Sequence, residues 1–389
     1  MKVAIVGAGP AGCAAAIALA QRGISACIVE RADATEPRPG EMLQPSSAQL
    51  LAQLGVDVSG HRRAFGVASA WESEDVTHND FFSGASGDGW LLDRAQFDRA
   101  LRDAAREQGV VTSTHADARF VIDATGIAAT IARQRGAKRI AYDQLAGVFA
   151  TVDGHGDGFT LVEAAEHGWW YSAFAPGGRV VIAFMSDADI LREQHLHERD
   201  PWLAALHATR HTRGRAGAAI PDALHVRSAA SAILGPLSGD DWLAAGDAAS
   251  VWDPLSSSGI HKALQNGIAA ADAIARNDVD RYARGVRAEF DEYLVMRDRY
   301  YSLVQSWPES RFWQRRQTAI TLDPMATVQT RDGLRMDRID PRLRIDAIVA
   351  FCREPRRAHE VVAACADHDD RVVILAMQAM LRERVLAMA

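Results

Sequence analysis

Lysine is rare in this chain. Only three of its 43 basic residues are lysines, Lys2, Lys138 and Lys262, and the others are arginines. Acidic residues number 50, which gives a formal net charge of −7. Without an excess of positive charge, the composition argues against a nucleic-acid partner. Any chemistry that needs a lysine ammonium group is restricted to these three positions.

Cysteine is also scarce, and no two cysteines have C-x-x-C spacing. The four are Cys13, Cys27, Cys352 and Cys365. Because Cys13 and Cys27 lie where small apolar residues belong, we expect reduced thiols in the core of a cytoplasmic protein.

Long hydrophobic runs are absent. No uninterrupted apolar stretch approaches the length of a membrane span, so we expect no membrane association. The first strand is predicted to begin at once, so we expect no signal peptide. The 389 residues are 48% hydrophobic and 24% charged, an ordinary globular composition with length for two domains or one large domain with insertions.

The N-terminal segment carries the clearest motif. Residues 3–6 form a short apolar run, typical of a strand buried on both faces. Gly7-Ala8-Gly9-Pro10-Ala11-Gly12 follows with G-x-G-x-x-G spacing and opens an alanine-rich helix. In such a motif the first glycine permits the turn, the second lets a pyrophosphate approach the backbone, and the third lets helix and strand pack closely. The N-terminus of the helix then faces the phosphates.

A second strand, predicted at residues 25–29, ends at Glu30, which lies 18 residues after Gly12. A carboxylate at this spacing can accept hydrogen bonds from an adenosine ribose. Strand, glycines, helix and acid in this order favour a dinucleotide site over a tight turn with a surface glutamate.

Two later stretches also follow strands. Residues 123–126, D-A-T-G, end an apolar strand, and Gly246-Asp247 end another. Residues 253–259, D-P-L-S-S-S-G, form a turn that opens a helix from residue 260 to about residue 276. A helix N-terminus at that turn stabilises negative charge on a bound group.

The middle of the chain alternates in the manner of antiparallel strands, and Pro176-Gly177-Gly178 joins two of them. The predicted strands are residues 141–153, 160–163, 169–175, 179–185 and 224–231. From residue 279 onward the pattern is helical and rich in aromatic residues, which we expect to pack inward for the most part.

Taken in order, these stretches resemble the FAD-dependent monooxygenases of the para-hydroxybenzoate hydroxylase type. The chain is more similar to the branch that contains the flavin-dependent tryptophan halogenases, and within it to flavoproteins that mature quinone-cofactor amine oxidases and dehydrogenases. Residues 38–41 (R-P-G-E), 90–94 (W-L-L-D-R) and 169–172 (W-W-Y-S) are similar to stretches of that branch. The resemblance spans roughly residues 1–316, and the last stretch matches only as helical.

The resemblance implies an α/β fold: a three-layer, Rossmann-like FAD-binding domain, an inserted antiparallel β-sheet domain for the substrate and a helical C-terminal region. The implied boundaries are 1–66, 90–140 and 235–278 for the FAD-binding domain, 67–89 and 141–234 for the substrate sheet, and 279–389 for the C-terminal region. Between residues 108 and 119 the chain is shorter than the family pattern. The binding of the adenine end of FAD and the access of NAD(P)H can therefore differ from those of the family.

The resemblance also implies the ligands. FAD is the cofactor, O2 is the oxidant, and NAD(P)H or a separate flavin reductase supplies electrons. The implied cofactor-binding residues are Gly7, Gly9, Pro10, Ala11, Gly12, Glu30, Arg31, Arg38, Glu41, Arg94, Gly126, Gly246, Asp247, Pro254, Ser257, Ser258, Gly259 and Ile260. For Arg38 a solvated surface charge is an equal alternative, and for Asp247 the alternative is a helix cap.

The substrate side is less specified. Trp169, Trp170, Tyr171 and Trp252 are candidate pocket residues, although core packing is the alternative for each of them. Trp252 immediately precedes the turn at residues 253–259, which the resemblance implies is the second flavin turn, and it is the leading candidate. His261 lies just inside the following helix and is a candidate base or hydrogen-bond donor, with the back face of the helix as the alternative. Lys262 is the other cation near this turn and a candidate to sense flavin charge, but it is expected at the surface, as is Lys138.

Three departures argue against halogenation. The family's halogenases carry a lysine between the first and second FAD stretches, and this chain has none between Lys2 and Lys138. Ser256 stands where the tryptophan halogenases carry glutamate in the second flavin turn, and residues 169–174 lack their W-x-W-x-I-P pattern. The prediction is therefore hydroxylation of an aromatic, indole-like substrate, free or peptide-bound tryptophan, through C4a-hydroperoxyflavin. A halogenase, a non-catalytic flavin-binding maturation partner, and a flavin reductase that saturates a carbon–carbon bond remain alternatives.

Overall fold

The structure is a computed structural model that describes residues 2–30, 41–81, 87, 89–216, 221, 223–317, 325, 327–330, 345–365, 370–382 and 385–388. Its strands, in chain order, are β1 Lys2–Val6, β2 Ser25–Val29, β3 Glu41–Leu43, β4 Arg62–Ala64, β5 Gly66–Ala70, β6 Thr77–Asp80, β7 Gly89–Leu92, β8 Val111–Ser113, β9 Phe120–Asp123, β10 Lys138–Ala141, β11 Leu145–Asp153, β12 Phe159–Ala165, β13 Gly168–Ala175, β14 Arg179–Asp187, β15 His225–Ser228, β16 Ala232–Gly235, β17 Ser238–Gly239, β18 Trp242–Ala244, β19 Ser250–Val251, β20 Thr327–Thr330, β21 Arg356–Arg357 and β22 Leu386–Met388.

The helices of the same residues are α1 Pro10–Gln21, α2 Ala48–Leu54, α3 Arg94–Glu107, α4 Thr130–Gln134, α5 Ala188–Glu193, α6 Arg199–Ala208, α7 Thr212–Ala216, α8 Gly259–Arg276, α9 Val279–Ser302, α10 Arg311–Gln317, α11 Ile345–Phe351, α12 Ala358–Ala364 and α13 Asp370–Arg382.

A six-stranded sheet forms the base of the predicted cofactor domain. Its strand order is β17-β18-β9-β1-β2-β8, and the strands from β18 to β8 run parallel. The central strands read as short apolar runs because helices cover them, and Val3 and Ile5 of β1 are fully buried.

Helix α1 follows β1 and packs between α3 and α8. Its contact with α8 is close because small residues face each other. A Cβ atom on Gly267 of α8 would lie 2.4 Å from the carbonyl oxygen of Ala11. This packing brings α8, which lies far along the chain, beside the N-terminal glycine motif.

A second, seven-stranded sheet has the order β15-β11-β14-β13-β12-β5-β6. It is antiparallel except where β5 runs parallel to β12. The strand predicted over residues 141–153 is present but begins only at Leu145, as β11, because Ala141 ends β10, which pairs with β16 in a separate three-stranded sheet. Asp143, between them, accepts hydrogen bonds from the backbone N–H groups of Leu145 and Ser231 and fixes this break.

The C-terminal region is not helical throughout. Besides helices it contains a three-stranded sheet of order β21-β20-β22. Helix α10 is anchored to the end of β14 through Arg315 and Arg316, which both pair with the buried Asp187. Burial opposes ionisation of Asp187, but the two guanidinium groups outweigh it and hold the pKa of this carboxyl below its usual range.

Cys13, Cys27 and Cys352 are buried, Cys365 is half-buried, and all four are free thiols. Burial raises the pKa of Cys13 to about 12. Among the described residues no group of His, Cys, Asp or Glu side chains is arranged to hold a metal ion. Within that part of the chain, no helix has the length and apolar character needed to cross a bilayer.

Candidate cofactor and active site

The predicted cofactor segments meet at one edge of the six-stranded sheet. In register, Val6 of β1 pairs with Val29 of β2 and with Asp123 of β9, and Ala244 of β18 pairs with the same Asp123. The carboxyl ends of four neighbouring parallel strands are therefore level. Glu30 and Asp247 follow the two outer strands of this group, and these two strands lie about 14 Å apart at the usual strand spacing. Ligands of open α/β sheets bind at this edge.

The glycine motif has the shape of a phosphate cradle. Gly7 has a φ of +109°, and a Cβ atom there would lie 2.4 Å from the carbonyl oxygen of Ala124. A Cβ on Gly12 would lie 1.9 Å from the carbonyl oxygen of Gly7, so the helix and the turn touch directly. At Gly9, in contrast, no atom lies within 4 Å of the Cβ position. This open space precedes the N-terminus of α1, where a phosphate is favoured.

The D-A-T-G segment supports the cradle from the neighbouring strand. The buried Asp123 accepts hydrogen bonds from the N–H and hydroxyl of Thr125 at 3.0 and 2.6 Å, and from the N–H of Ala132 at 2.7 Å. These bonds fix the turn in which Gly126 adopts a φ of +66°, with nothing within 4 Å of its Cβ position. Asp123 is therefore a structural residue of this turn, and Gly126 presents backbone to the edge of the sheet.

Asp247 projects from the end of β18. Gly246 before it has a φ of +64° and packs against Ala11 of α1, where a Cβ atom would approach to 2.6 Å. The Asp247 side chain is 50% exposed, and its Oδ1 lies 3.0 Å from Nζ of Lys262, which is only 2% exposed. The expectation of a surface lysine at Lys262 is therefore wrong. The Arg139 guanidinium donates to the backbone carbonyl of Asp247 at 2.9 Å.

The second flavin turn contains a short 3-10 helix, Pro254–Ser256, and leads into α8. Ser257 is left-handed with a φ of +48°, and within the described residues no side chain caps α8. The Gln44 amide donates to the carbonyl oxygen of Ser256 at 3.1 Å, which links this turn to the segment after β3. The α8 N-terminus, including Gly259 and Ile260, is thus uncapped beside Asp247. Its free N–H groups can stabilise a negatively charged edge of a bound ring.

Arg94 and Glu41, both predicted to bind the cofactor, form an ion pair with each other. The guanidinium also pairs with Asp98 at 3.2 Å, and its Nε is buried without a partner among the described residues. Burial lowers the pKa of Arg94, but the two carboxylates outweigh it and hold the pKa above its usual value. Arg31 and Arg38 lie outside the described residues.

A buried hydrogen-bond chain connects the second sheet to the flavin turn. The Trp169 indole N–H donates to the Tyr301 hydroxyl at 3.0 Å, and this hydroxyl donates to Oδ2 of Asp253 at 2.7 Å. Oδ1 of Asp253 accepts from the N–H of Leu255 at 2.9 Å, inside the turn. Burial raises the pKa of Asp253 to about 6, and the nearby Asp143 carboxylate adds to the shift.

Trp252 immediately precedes the same turn in the chain. Its ring stacks on Tyr293 with centroids 4.7 Å apart and an angle of 7° between the planes. The indole N–H is buried without a partner in the described part of the chain. The Tyr293 hydroxyl accepts a hydrogen bond from the N–H of Asp253 at 2.6 Å. Because Trp252 stacks on Tyr293, its position depends on this bond to Asp253.

The tryptophan pair of β13 separates onto opposite faces of the second sheet. Trp169 and Tyr171 face the aromatic cluster that contains Tyr301, and Leu255 packs against that cluster. Trp170 faces the other side, where it packs against Phe184 and Trp202. Since successive side chains of a strand alternate, Trp170 cannot line a pocket on the side of Tyr171, and its assignment to the pocket is corrected. Trp169 is fully buried in the cluster, whereas Tyr171 is only partly buried.

His261 lies in the first turn of α8. Its Nδ1 is 3.0 Å from the Ser47 hydroxyl. Burial lowers the pKa of His261, which favours the neutral form of the imidazole. The side chain thus contacts the segment after β3.

Residues 1–149 match the family model described as FAD binding domain. A relative from Marinomonas mediterranea, named putative FAD-dependent oxidoreductase LodB, is 28% identical over 360 residues, which are 80% of this chain and 95% of the relative. The chain is an FAD-dependent oxidoreductase.

Two solved structures share the fold of this flavoprotein over its whole length. The myxobacterial chondrochloren halogenase CndH is 17% identical with a TM-score of 0.75, covering 100% of this chain and 99% of that one. The peptidyl tryptophan dihydroxylase QhpG is 21% identical with a TM-score of 0.60, covering 98% of each chain. The α/β fold with an FAD-binding Rossmann-like layer and an added sheet is thereby confirmed.

The cradle fits FAD. Gly9 leaves open the space that a pyrophosphate needs, and Glu30 and Asp247 follow two strands whose carboxyl ends lie at the same edge of the sheet. Sequence reasoning did not assign roles to Arg139, Tyr293, Tyr301 or the buried state of Lys262. For Lys262, the available signal of burial was its position on the apolar face of an amphipathic helix.

Proposed function

We propose that this flavoprotein is a monooxygenase that hydroxylates an aromatic, indole-like substrate, namely tryptophan that is free or part of a peptide. Reduced FAD supplies the activation of O2. One oxygen atom enters the ring, the other leaves as water, and NAD(P)H or a separate flavin reductase supplies the electrons. The related fold of a peptidyl tryptophan dihydroxylase supports this substrate class.

The observation that carries the proposal is the placement of the three lysines. Lys2 is exposed in β1, Lys138 starts β10 in the small sheet with β16, and Lys262 is buried against Asp247. The lysine that the family's halogenases use must be able to receive an oxidised halogen and reach the substrate. A buried ammonium group held by a carboxylate has neither access nor a free position, which favours hydroxylation.

The proposed roles of the site follow from the contacts. The α8 N-terminus stabilises negative charge on the flavin ring edge. Tyr171 and Leu255 lie beside the aromatic cluster on the side of the flavin turn and offer a water-excluding wall. Trp252, stacked on Tyr293, is proposed to close the opposite side of the turn.

His261 is proposed to move a proton during the hydroxylation. We expect His261→Gln to lower product formation about tenfold, less than a full acid–base deletion, because O2 activation itself needs little from the protein. FAD affinity is expected to stay within about twofold, and the pH profile of turnover is expected to lose the limb that the imidazole causes. Single-turnover kinetics from pH 5.5 to 8.5 measures both. Unchanged turnover and an unchanged profile would remove His261 from the mechanism.

The function is tested by product analysis. The chain is loaded with FAD, reduced without oxygen by NADH, by NADPH and by dithionite, and then mixed with isotopically labelled O2. The substrates are indole, tryptophan and a tryptophan-containing peptide, each with and without bromide and chloride. We expect labelled oxygen in the aromatic product by mass spectrometry. Halogen in the product without labelled oxygen would contradict the proposal.

Halogenation is the second candidate, and the fold shared with CndH favours it. It differs from hydroxylation in one measurable requirement. A halogenase consumes O2 productively only when halide is present, whereas a hydroxylase gives the same product yield with and without halide. The bromide arms of the same experiment therefore separate the two candidates.

A further inference from the structure

Lys262 is the only buried lysine of the chain, since Lys2 is exposed and Lys138 is half-buried. Its Nζ lies 3.0 Å from Oδ1 of Asp247 and also donates to the carbonyl oxygen of Ser250. The ammonium group lies 5.6 Å from the centroid of the Trp252 ring. Burying an ammonium group is unfavourable unless carboxylate, carbonyl or aromatic partners replace the water, and here all three kinds are present.

The pair is asymmetric. Lys262 is 2% exposed and Asp247 is 50% exposed, so the carboxylate faces outward at the sheet edge while the lysine lies behind it. A simple core ion pair would bury both partners. This arrangement instead presents one carboxylate to a ligand and holds it from the rear.

The carboxylate lies beside the cradle that takes the phosphates, because Gly246 packs on Ala11 of the glycine motif. A bare carboxylate so close to a pyrophosphate would repel it. Cations behind Asp247 reduce this repulsion, and the described residues supply two: the ammonium of Lys262 and the guanidinium of Arg139, which donates to the Asp247 backbone carbonyl. Of the two, Lys262 alone contacts the carboxylate.

We propose that Lys262 is a positioning residue for FAD. Its buried ammonium fixes the Asp247 carboxylate in the orientation that receives the cofactor's hydroxyl groups and compensates the negative charge that Asp247 brings next to the phosphates. Lys262 acts through Asp247 and does not itself contact the substrate. The inference concerns cofactor binding and holds whichever substrate the enzyme uses.

The test is a double-mutant cycle on FAD affinity. The proteins are the unchanged chain, Lys262→Met, Asp247→Asn and the double variant, and Lys138→Met is the matched lysine control. Each is stripped of FAD, checked for folding by circular dichroism, and titrated with FAD by fluorescence quenching. We expect Lys262→Met to weaken FAD binding at least about tenfold, and Lys138→Met to change it less than about twofold.

The decisive comparison is made in the Asp247→Asn background. If Lys262 acts through Asp247, removing it there changes FAD affinity less than about threefold. The proposal would be overturned if the two single substitutions reduced FAD affinity independently, so that their effects multiplied in the double variant. It would also be overturned if Lys262→Met lowered the melting temperature but left FAD affinity unchanged. If Lys262→Met alone does not fold, the double variant is used, because it contains no buried charge without a partner. Its FAD affinity is then compared with that of Asp247→Asn, and this comparison decides the question. A chain that binds FAD but hydroxylates no indole would contradict the proposed function and leave this test valid.

Discussion

Gly9→Val is expected to abolish FAD binding while the apoprotein folds normally. Gly9 has an extended backbone with φ of −79° and ψ of −176°, which valine adopts readily, and no atom lies within 4 Å of its Cβ position. The isopropyl group therefore enters open space in the absence of cofactor. With cofactor, it occupies the approach of the pyrophosphate to the backbone. We expect a loss of affinity of about 100-fold or more, which corresponds to ~2.8 kcal/mol.

Two other glycine variants show that the effect is specific to the cradle. Gly285→Val in α9 is the matched control, because its Cβ position is also open and the residue is exposed, and we expect normal FAD binding. Gly12→Val places a Cβ 1.9 Å from the carbonyl oxygen of Gly7 and is expected to prevent folding. Thermal unfolding of the apoproteins and FAD titration measure both properties. Full FAD affinity in Gly9→Val would place the pyrophosphate elsewhere.

Asp253 is expected to lower stability as the pH rises. Burial raises its pKa to about 6 in the folded protein, from an ordinary value of 3.8. Between these values the folded state keeps a proton that the unfolded state has released. The stabilisation is therefore complete below pH 3.8 and is lost as the pH rises through 6, by as much as about 3 kcal/mol.

Asp253→Asn removes this dependence, because an amide carries no charge and its oxygen can still accept from the N–H of Leu255. Urea unfolding of apoprotein at pH 4 to 8 measures the free-energy difference between the two proteins. We expect the unchanged chain to lose about 3 kcal/mol relative to Asp253→Asn across this range. Asp240→Asn, at an exposed site, is the control for general charge effects. A constant difference would show that Asp253 stays ionised beside Arg297 and Tyr301.

Much of the cofactor edge follows from local sequence rules. The strand before Gly7, the acid at Glu30, and the turns before Gly126 and Asp247 are short motifs whose conformations depend on neighbouring residues. The parallel sheet then brings their ends together, since carboxyl ends of parallel strands meet at one edge. For the same reason helix α8 is predicted within a residue at its N-terminus.

The contacts between distant segments do not follow from such rules. Trp169 and Trp170 are adjacent and chemically identical, and only the register of β13 decides which one faces the flavin turn. Asp143 breaks the predicted strand over residues 141–153 through its bond to Ser231, which lies far along the chain. The hydrogen-bond chain from Trp169 through Tyr301 to Asp253 joins three elements that share no sequence pattern.

The sequence by itself determined the α/β class, the order of the cofactor segments and the residue types at the sheet edge, because glycine turns, caps and strand periodicity are set by neighbouring residues. Only the tertiary structure decided which charges are buried, which face each aromatic ring occupies, and that Lys262 supports Asp247 from behind. Those properties depend on which distant elements come into contact, and burial is what changes the energy of a charge.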